Sequence, residues 1–275
     1  MIKKYRRPYR VKKKKPIFRN RFFGLGILIF VVIVEIFYLI CFSSFFQIKE
    51  IKISGNSALA EASADKQKVS IEDIQNVIEK EVEQKFLFLP SKSIFLINLK
   101  EINEVVLEKF PQINQINFKR KFPQSLEVTV EERKPEAIFC QEEKCFFLDK
   151  EGIIFEEVSG GEEYPKIKNS AINQPLNFGD RVVEKELLRL ILETELKLRD
   201  DFKIPIGELL IVSDENVHAK TLEGWEIYFN PKGDLGWQLT KLKADLEEEI
   251  LQEKRKDLEY IELRFGNFAP YKYRD

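Results

Sequence analysis

The sequence predicts an α+β protein with a single N-terminal transmembrane helix, a β-α-α-β-β domain and a β-rich domain with two helices. Three observations carry that reading. A long uncharged run follows a strongly basic tail. The stretch from there to Pro135 switches between strand-like and helix-like spacing of its apolar residues. The remainder is mostly short alternating strands, interrupted by two amphipathic helical stretches.

The tail and the run are distinct physical objects hidden behind a net charge of −1. Residues 1–21 hold eleven Lys or Arg and no acid, and residues 22–46 hold one charge, Glu35. Residues 47–275 then carry 34 bases against 45 acids. Helix rises about 1.5 Å per residue, so a run of this length reaches about 37 Å and crosses a bilayer core with some tilt. A secretory signal peptide would have a shorter apolar region, about 7–15 residues, followed by small residues at a cleavage site. Bulky Ile48 and Ile51 stand there instead. The positive-inside rule puts the N-terminus in the cytoplasm and residues 47–275 outside. Glu35, near the middle of the run, is costly to ionise in lipid and is a candidate intramembrane contact to a polar group on another membrane helix. The basic tail is explained as a topology signal drawn to anionic lipid, without nucleic acid.

Beyond the span, Ile51 and Ile53 alternate with Glu50, Lys52 and Ser54 as a half-buried strand, ended by Gly55-Asn56. Ser57–Lys68 is small and polar, a loop. Ser70 with Asp73 opens a helix whose Ile71, Ile74, Ile78 and Val82 form the buried stripe. Asn98 with Glu101 opens a second, with Ile102, Val105, Val106 and Phe110 inward, before Pro111 stops it. Ile113, Ile116 and Phe118 belong to a strand, Lys121-Phe122-Pro123-Gln124 turns it, and Leu126, Val128 and Val130 alternate with Glu127, Thr129 and Glu131 in the next.

Residues 136–275 read as a second domain. Ala137–Phe139 and Phe146–Leu148 flank a turn at Gln141–Lys144, and Ile153–Glu156 follows a further turn. Glu184–Lys203 is a helix with Leu187, Leu188, Ile191, Leu192 and Leu198 inward. Three short strands lead to a charged helix over Trp237–Lys254, its apolar face Leu239, Leu242, Leu246 and Ile250. Leu258–Phe265 is the last strand. Cys140 and Cys145 flank the Gln141–Lys144 turn, and a simple hairpin register makes them a candidate disulfide in a compartment that permits oxidation.

Residues for catalysis are scarce. Ser63-Ala64-Asp65-Lys66 matches Ser-x-x-Lys, but the Ser-Asp-Asn and Lys-Thr-Gly partners of that chemistry do not occur. Cys140 and Cys145 are two zinc ligands short of a structural site. His218 is the one imidazole in the chain, so a Cys–His pair has a single candidate base. No phosphate-binding Gly-rich loop is present. The expectation is a non-enzyme with no cofactor, no metal, no small-molecule substrate and no nucleic acid.

Several motifs taken in order resemble one family. QIKEIKISGN, a helix, then Pro111-Gln112-Ile113, Phe122-Pro123-Gln124-Ser125-Leu126 and Glu132-Arg133-Lys134-Pro135-Glu136-Ala137 resemble the POTRA domain of the FtsQ/DivIB cell-division proteins. Leu222–Ile227, a helix, and Tyr260-Ile261-Glu262-Leu263-Arg264-Phe265 extend the likeness to the far end. A longer Ser57–Lys68 loop, and Glu262 where Asp is common, depart from it. The resemblance implies a basic tail (1–21), a span (22–46), a POTRA domain (47–135) and an FtsQ/DivIB-type β domain (136–275). It also implies a divisome scaffold at the division septum, holding FtsB/FtsL-like proteins by strand addition at its C-terminal edge and other divisome proteins through the POTRA domain. The partner-binding residues so implied are Tyr260, Arg264, Phe265, Asn267, Phe268 and Tyr271. A POTRA-containing protein of a translocation or envelope-assembly machine is the alternative; it would be expected to repeat the POTRA unit or to carry a β-barrel, and no internal repeat is seen.

Overall fold

The structure, a computed structural model, describes residues 21–55, 70–86, 89–158, 164–172 and 174–274. Most of the basic tail, Asn56, the Ser57–Lys68 loop and its Ser63-x-x-Lys66 match lie outside the described residues. By packing, the chain falls into two compact units. The first comprises the described residues of Met1–Ile53, Gln75–Ile102 and Phe118–Val128; the second comprises those of Ser54–Ile74, Asn103–Asn117 and Thr129–Asp275.

Helix α1 (Arg21–Phe42) is long and apolar enough to cross a membrane. Its 22 residues reach about 33 Å, a little over the roughly 30 Å of a hydrocarbon core. Glu35 lies seven residues before Phe42, about 10 Å from the exit end rather than at the centre. The C-terminal carbonyls of α1, which no intrahelical N–H can reach, are met by side chains. Ser91 Oγ donates to Cys41 O at 2.6 Å, Gln47 Nε2 to the same oxygen at 3.2 Å, and Ser93 Oγ to Ile40 O at 2.7 Å. Cys41 is buried by this collar.

A three-stranded sheet runs in the order β1 (Glu50–Gly55), β5 (Ser125–Glu132), β4 (Ile113–Lys121). The alternation predicted for β5 is met, with Leu126, Val128 and Val130 buried. Helix α2 (Ile71–Val82) starts at Ser70, whose Oγ accepts from Glu72 N at 3.1 Å, and Glu72 and Asp73 suit the positive end of its dipole. Its buried face is Ile74, Val77, Ile78 and Val82, whereas Ile71 is exposed at the first turn. Helix α3 (Leu99–Lys109) has Asn98 and Glu101 in reciprocal contact, Glu101 N donating to Asn98 Oδ1 at 3.4 Å and Asn98 Nδ2 to Glu101 Oε2 at 3.2 Å. Between the helices lies a short hairpin, β2 (Gln84–Phe86) and β3 (Leu89–Ser91), which hydrophobic periodicity does not announce over three-residue strands.

The second unit is built on a nine-stranded sheet. In chain order its strands are β6 (Ala137–Gln141), β7 (Lys144–Leu148), β8 (Ile154–Glu157), β9 (Lys166–Asn169), β10 (Ile206–Ser213), β11 (Asn216–Thr221), β12 (Glu226–Phe229), β13 (Leu258–Glu262) and β14 (Tyr271–Tyr273). In space they run β14-β13-β12-β11-β10-β9-β6-β7-β8. One face buries Phe139, Ile167, Ile211, Ile227, Phe229 and Ile261 beneath α4 (Lys185–Asp200) and α5 (Leu235–Ala244), with Trp225 1% exposed. Because strand side chains alternate, Ile138, Cys140, Phe147 and Phe155 form a smaller cluster on the opposite face. Cys140 and Cys145 are register partners across the β6–β7 hairpin, bonded through their sulfurs, with Cα atoms 4.1 Å apart.

Two elements differ from the sequence reading. The charged helix does not run to Lys254. It ends at Ala244, passes through a π-helical turn (Asp245–Glu249) closed by Ile250 N donating to Asp245 O at 2.7 Å, and continues as 3₁₀ helix (Gln252–Asp257). Leu246 and Ile250 stay buried with Leu239 and Leu242 through the wider turn. The last strand is likewise not continuous to Phe265. It ends at Glu262, and the chain loops back as β14.

Asp149, 2% exposed, anchors the turn that follows β7. Its Oδ1 accepts from Glu151 N and Ile153 N, each at 2.9 Å, and its Oδ2 from Arg133, whose Nε donates to Pro111 O at 2.9 Å. Gly152 completes the turn at φ +76°, and a Cβ there would lie 1.8 Å from Val183 O. Backbone cannot give way as a side-chain end can. Gly152→Ala is expected to cost about 2 kcal/mol or more through left-handed strain plus this overlap, read as a lower urea midpoint with an unchanged slope.

The C-terminal sheet edge as candidate partner site

Strand β14 ends the sheet, and among the described residues no strand lies beyond it. The opposite end differs. There β8 is covered by the segment before α4: Gly179 N donates to Ile154 O at 2.8 Å, Ile154 N to Asp180 O at 3.1 Å, and Ile153 bridges to Arg181. Among the described residues, therefore, the sheet has one covered edge and one edge with no strand beyond it.

The loop from β13 to β14 is wound around a lysine. Lys241, on α5, is 6% exposed. Its Nζ donates to Leu263 O and Phe265 O, each at 2.7 Å, and lies 3.3 Å from Gly266 O and 3.4 Å from Phe268 O. Four carbonyl dipoles thus take the place of water around the ammonium. Burial lowers the Lys241 pKa, and the charges of Asp245 and Glu262 pull it back up. One turn earlier, Trp237 Nε1 donates to Gly266 O at 3.2 Å. Asp234, whose Oδ1 accepts from Trp237 N at 2.9 Å, caps the helix that carries both residues.

Turning these carbonyls inward leaves Phe265 and Phe268 outside, 55% and 67% exposed. Arg264 stays with the chain. Its Nε donates to Glu262 Oε1 at 2.8 Å and its second terminal nitrogen to Oε2, a two-pronged pair on a carboxylate that is itself buried. Those bonds raise the Arg264 pKa further. The guanidinium lies 5.9 Å from the Tyr228 ring centroid and 5.4 Å from that of Phe265.

Rings continue across three strands on that face. His218 stacks on Tyr228 at 3.9 Å and Tyr228 on Tyr260 at 5.0 Å. Burial first, then Glu226, pushes the Tyr228 hydroxyl up to about 12. Burial lowers the His218 pKa more than Glu226 raises it. The ring is therefore neutral at pH 7, and its 3.7 Å approach to Glu226 is not an ion pair.

Of the residues the sequence singled out, Arg264, Phe265, Asn267 and Phe268 share this loop, and Tyr271 opens β14 with its ring packed against the core. Tyr260 is on β13, inside the sheet. Cys140 and Cys145 sit on β6 and β7, beyond β12 to β9 in strand order, and Glu35 is on α1. Sequence reasoning missed Lys241, Trp237 and Tyr228. A lysine in LTKLK looks like any solvated helix lysine, because its partners are backbone oxygens that leave no mark in the sequence.

Residues 65–133 match the family model described as POTRA domain, FtsQ-type. Over 181 residues the chain is 26% identical to Cell division protein FtsQ of Geobacter sp. (strain M21), covering 65% of each. Together these matches support an FtsQ/DivIB-family protein. The chain spans a little less than two thirds of the relative's length. The FtsQ-type domain model covers β4, β5 and both helices α2 and α3, while the open edge lies outside the residues it matches.

Replacing Lys241 with Met removes the donor and leaves its carbonyls facing an apolar side chain. The expected loss is about 2–4 kcal/mol, the range for orphaned buried polar groups. Amide exchange at Glu262 and Arg264 should quicken more than at Ile227. Unchanged exchange there would show that Trp237 and β14 hold the loop without the ammonium.

Proposed function

We propose that this protein is a non-catalytic cell-division scaffold. In this reading α1 anchors it in the cell membrane with its N-terminus in the cytoplasm, and residues 47–135 and 136–275 are its two extracytoplasmic parts. There it holds another membrane-anchored division protein, FtsB/FtsL-like, at the septum by adding a strand of that partner to β14. The observation that carries the reading is the asymmetry of the sheet: β8 is covered by the Gly179–Arg181 segment, while among the described residues no strand lies beyond β14. An edge strand is a template for another chain, and alternate side chains beside it give selectivity. Phe265 and Phe268 supply exposed aromatic anchors next to that template. The likeness to Cell division protein FtsQ of Geobacter sp. (strain M21) supports the cellular setting.

Arg264→Glu would set two carboxylates against each other at Glu262 and damage the fold, so the test belongs to the phenylalanines. Phe265→Ala and Phe268→Ala should each weaken binding to the extracytoplasmic segment of the organism's FtsB-like protein by about thirtyfold, the equivalent of roughly 2 kcal/mol. Their melting temperatures should stay at the parent value. Parent-like binding by the double variant would remove the loop from the interface. A fluorescent fusion of the parent should gather in a band at midcell, and an even envelope signal in dividing cells would count against a septal role.

A further inference from the structure

We propose that a phenylalanine patch beside the end of α1 is a second, interfacial membrane contact, seated in the headgroup–acyl boundary of the bilayer that α1 crosses. The inference rests on α1 spanning that bilayer. Phe45, Phe46, Phe95 and Phe122 form a continuous run of rings, with centroids 5.0, 5.3 and 5.2 Å apart in turn. Phe45, Phe95 and Phe122 are 60%, 45% and 60% exposed. Three such rings in one patch are unusual on a surface that only water touches.

Its occupant follows from where the patch is tied. The collar of Ser91, Ser93 and Gln47 bonds directly to the carbonyls of Ile40 and Cys41 in the last turn of α1. Phe46 O accepts from Ile94 N at 2.9 Å, next to Phe95. Phe45 is three residues past Phe42, where the helix ends. A 22-residue helix already uses the roughly 30 Å of hydrocarbon, and the interfacial layer beyond it is only about 5–7 Å deep on each side. The patch therefore begins in that layer. Lys119, Arg120 and Lys121 lead into Phe122, the combination of cations and aromatic rings that suits the headgroup level.

The test uses the full chain in phosphatidylcholine vesicles, made with ordinary lipid or with lipid brominated in the upper acyl chain, which quenches a nearby indole. Phe95→Trp and Phe122→Trp keep aromatic bulk, and Phe45→Trp, ahead of β1, serves should either fail to fold. The parent's Trp225 and Trp237 provide the background. The emission added by each new Trp is expected to be lost in brominated lipid and blue-shifted in ordinary lipid. Added emission that is equal in both lipids, from chain that floats with the vesicles, would overturn the proposal and leave the patch to a protein partner. Chain that does not float with the vesicles would overturn the membrane-anchor reading and the proposal with it.

Discussion

Lys241 sets the path of the chain at the end of the second unit's sheet, because an ammonium at its depth must be surrounded by oxygen atoms or not exist there as a charge. Taking such a group from water costs several kcal/mol, and the carbonyls of Leu263, Phe265, Gly266 and Phe268 offset that cost only if the backbone bends to present them. The bend ends β13 at Glu262, reverses the chain and sends β14 back along it. It also decides that Phe265 and Phe268 face outward. The Glu262–Arg264 fork holds the first corner of the same bend, so the charge of one residue is fixed by its near neighbour rather than offered to solvent.

How much of this was legible follows from where each signal resides. One-sided burial repeats along the chain, so α1, the α2 and α3 stripes, β5 and the apolar face of α5 could be read from spacing. Ile71 fits the α2 stripe by spacing yet is exposed, because a stripe says nothing about which of its ends reaches the core. The π turn at Asp245–Glu249 was hidden because Leu246 and Ile250 satisfy a regular helix on paper as well as they do the real one. At the candidate site, Arg264 and Phe265 were found through a family likeness, while the lysine that positions them was not, since its hydrogen bonds end on main-chain oxygens.

The collar at Ile40 and Cys41 has a similar logic. A helix leaving lipid exposes carbonyls that water would ordinarily satisfy, and here Ser91, Ser93 and Gln47 satisfy two of them instead. The end of α1 is therefore bonded into the folded part of its unit rather than joined to it by a free hinge, and a rotation of the helix about its own axis would have to break those bonds.

A sheet with one uncovered edge among the described residues also limits what it can build. Copies of this chain that met strand to strand could join β14 to β14 and would then have no side left to offer, since β8 is already occupied by its own chain. Stacking of the kind that gives fibres needs a donor and an acceptor side on every molecule. Among the described residues the covering of β8 leaves the β14 edge alone for pairing, so a strand added there would end the growth of the sheet.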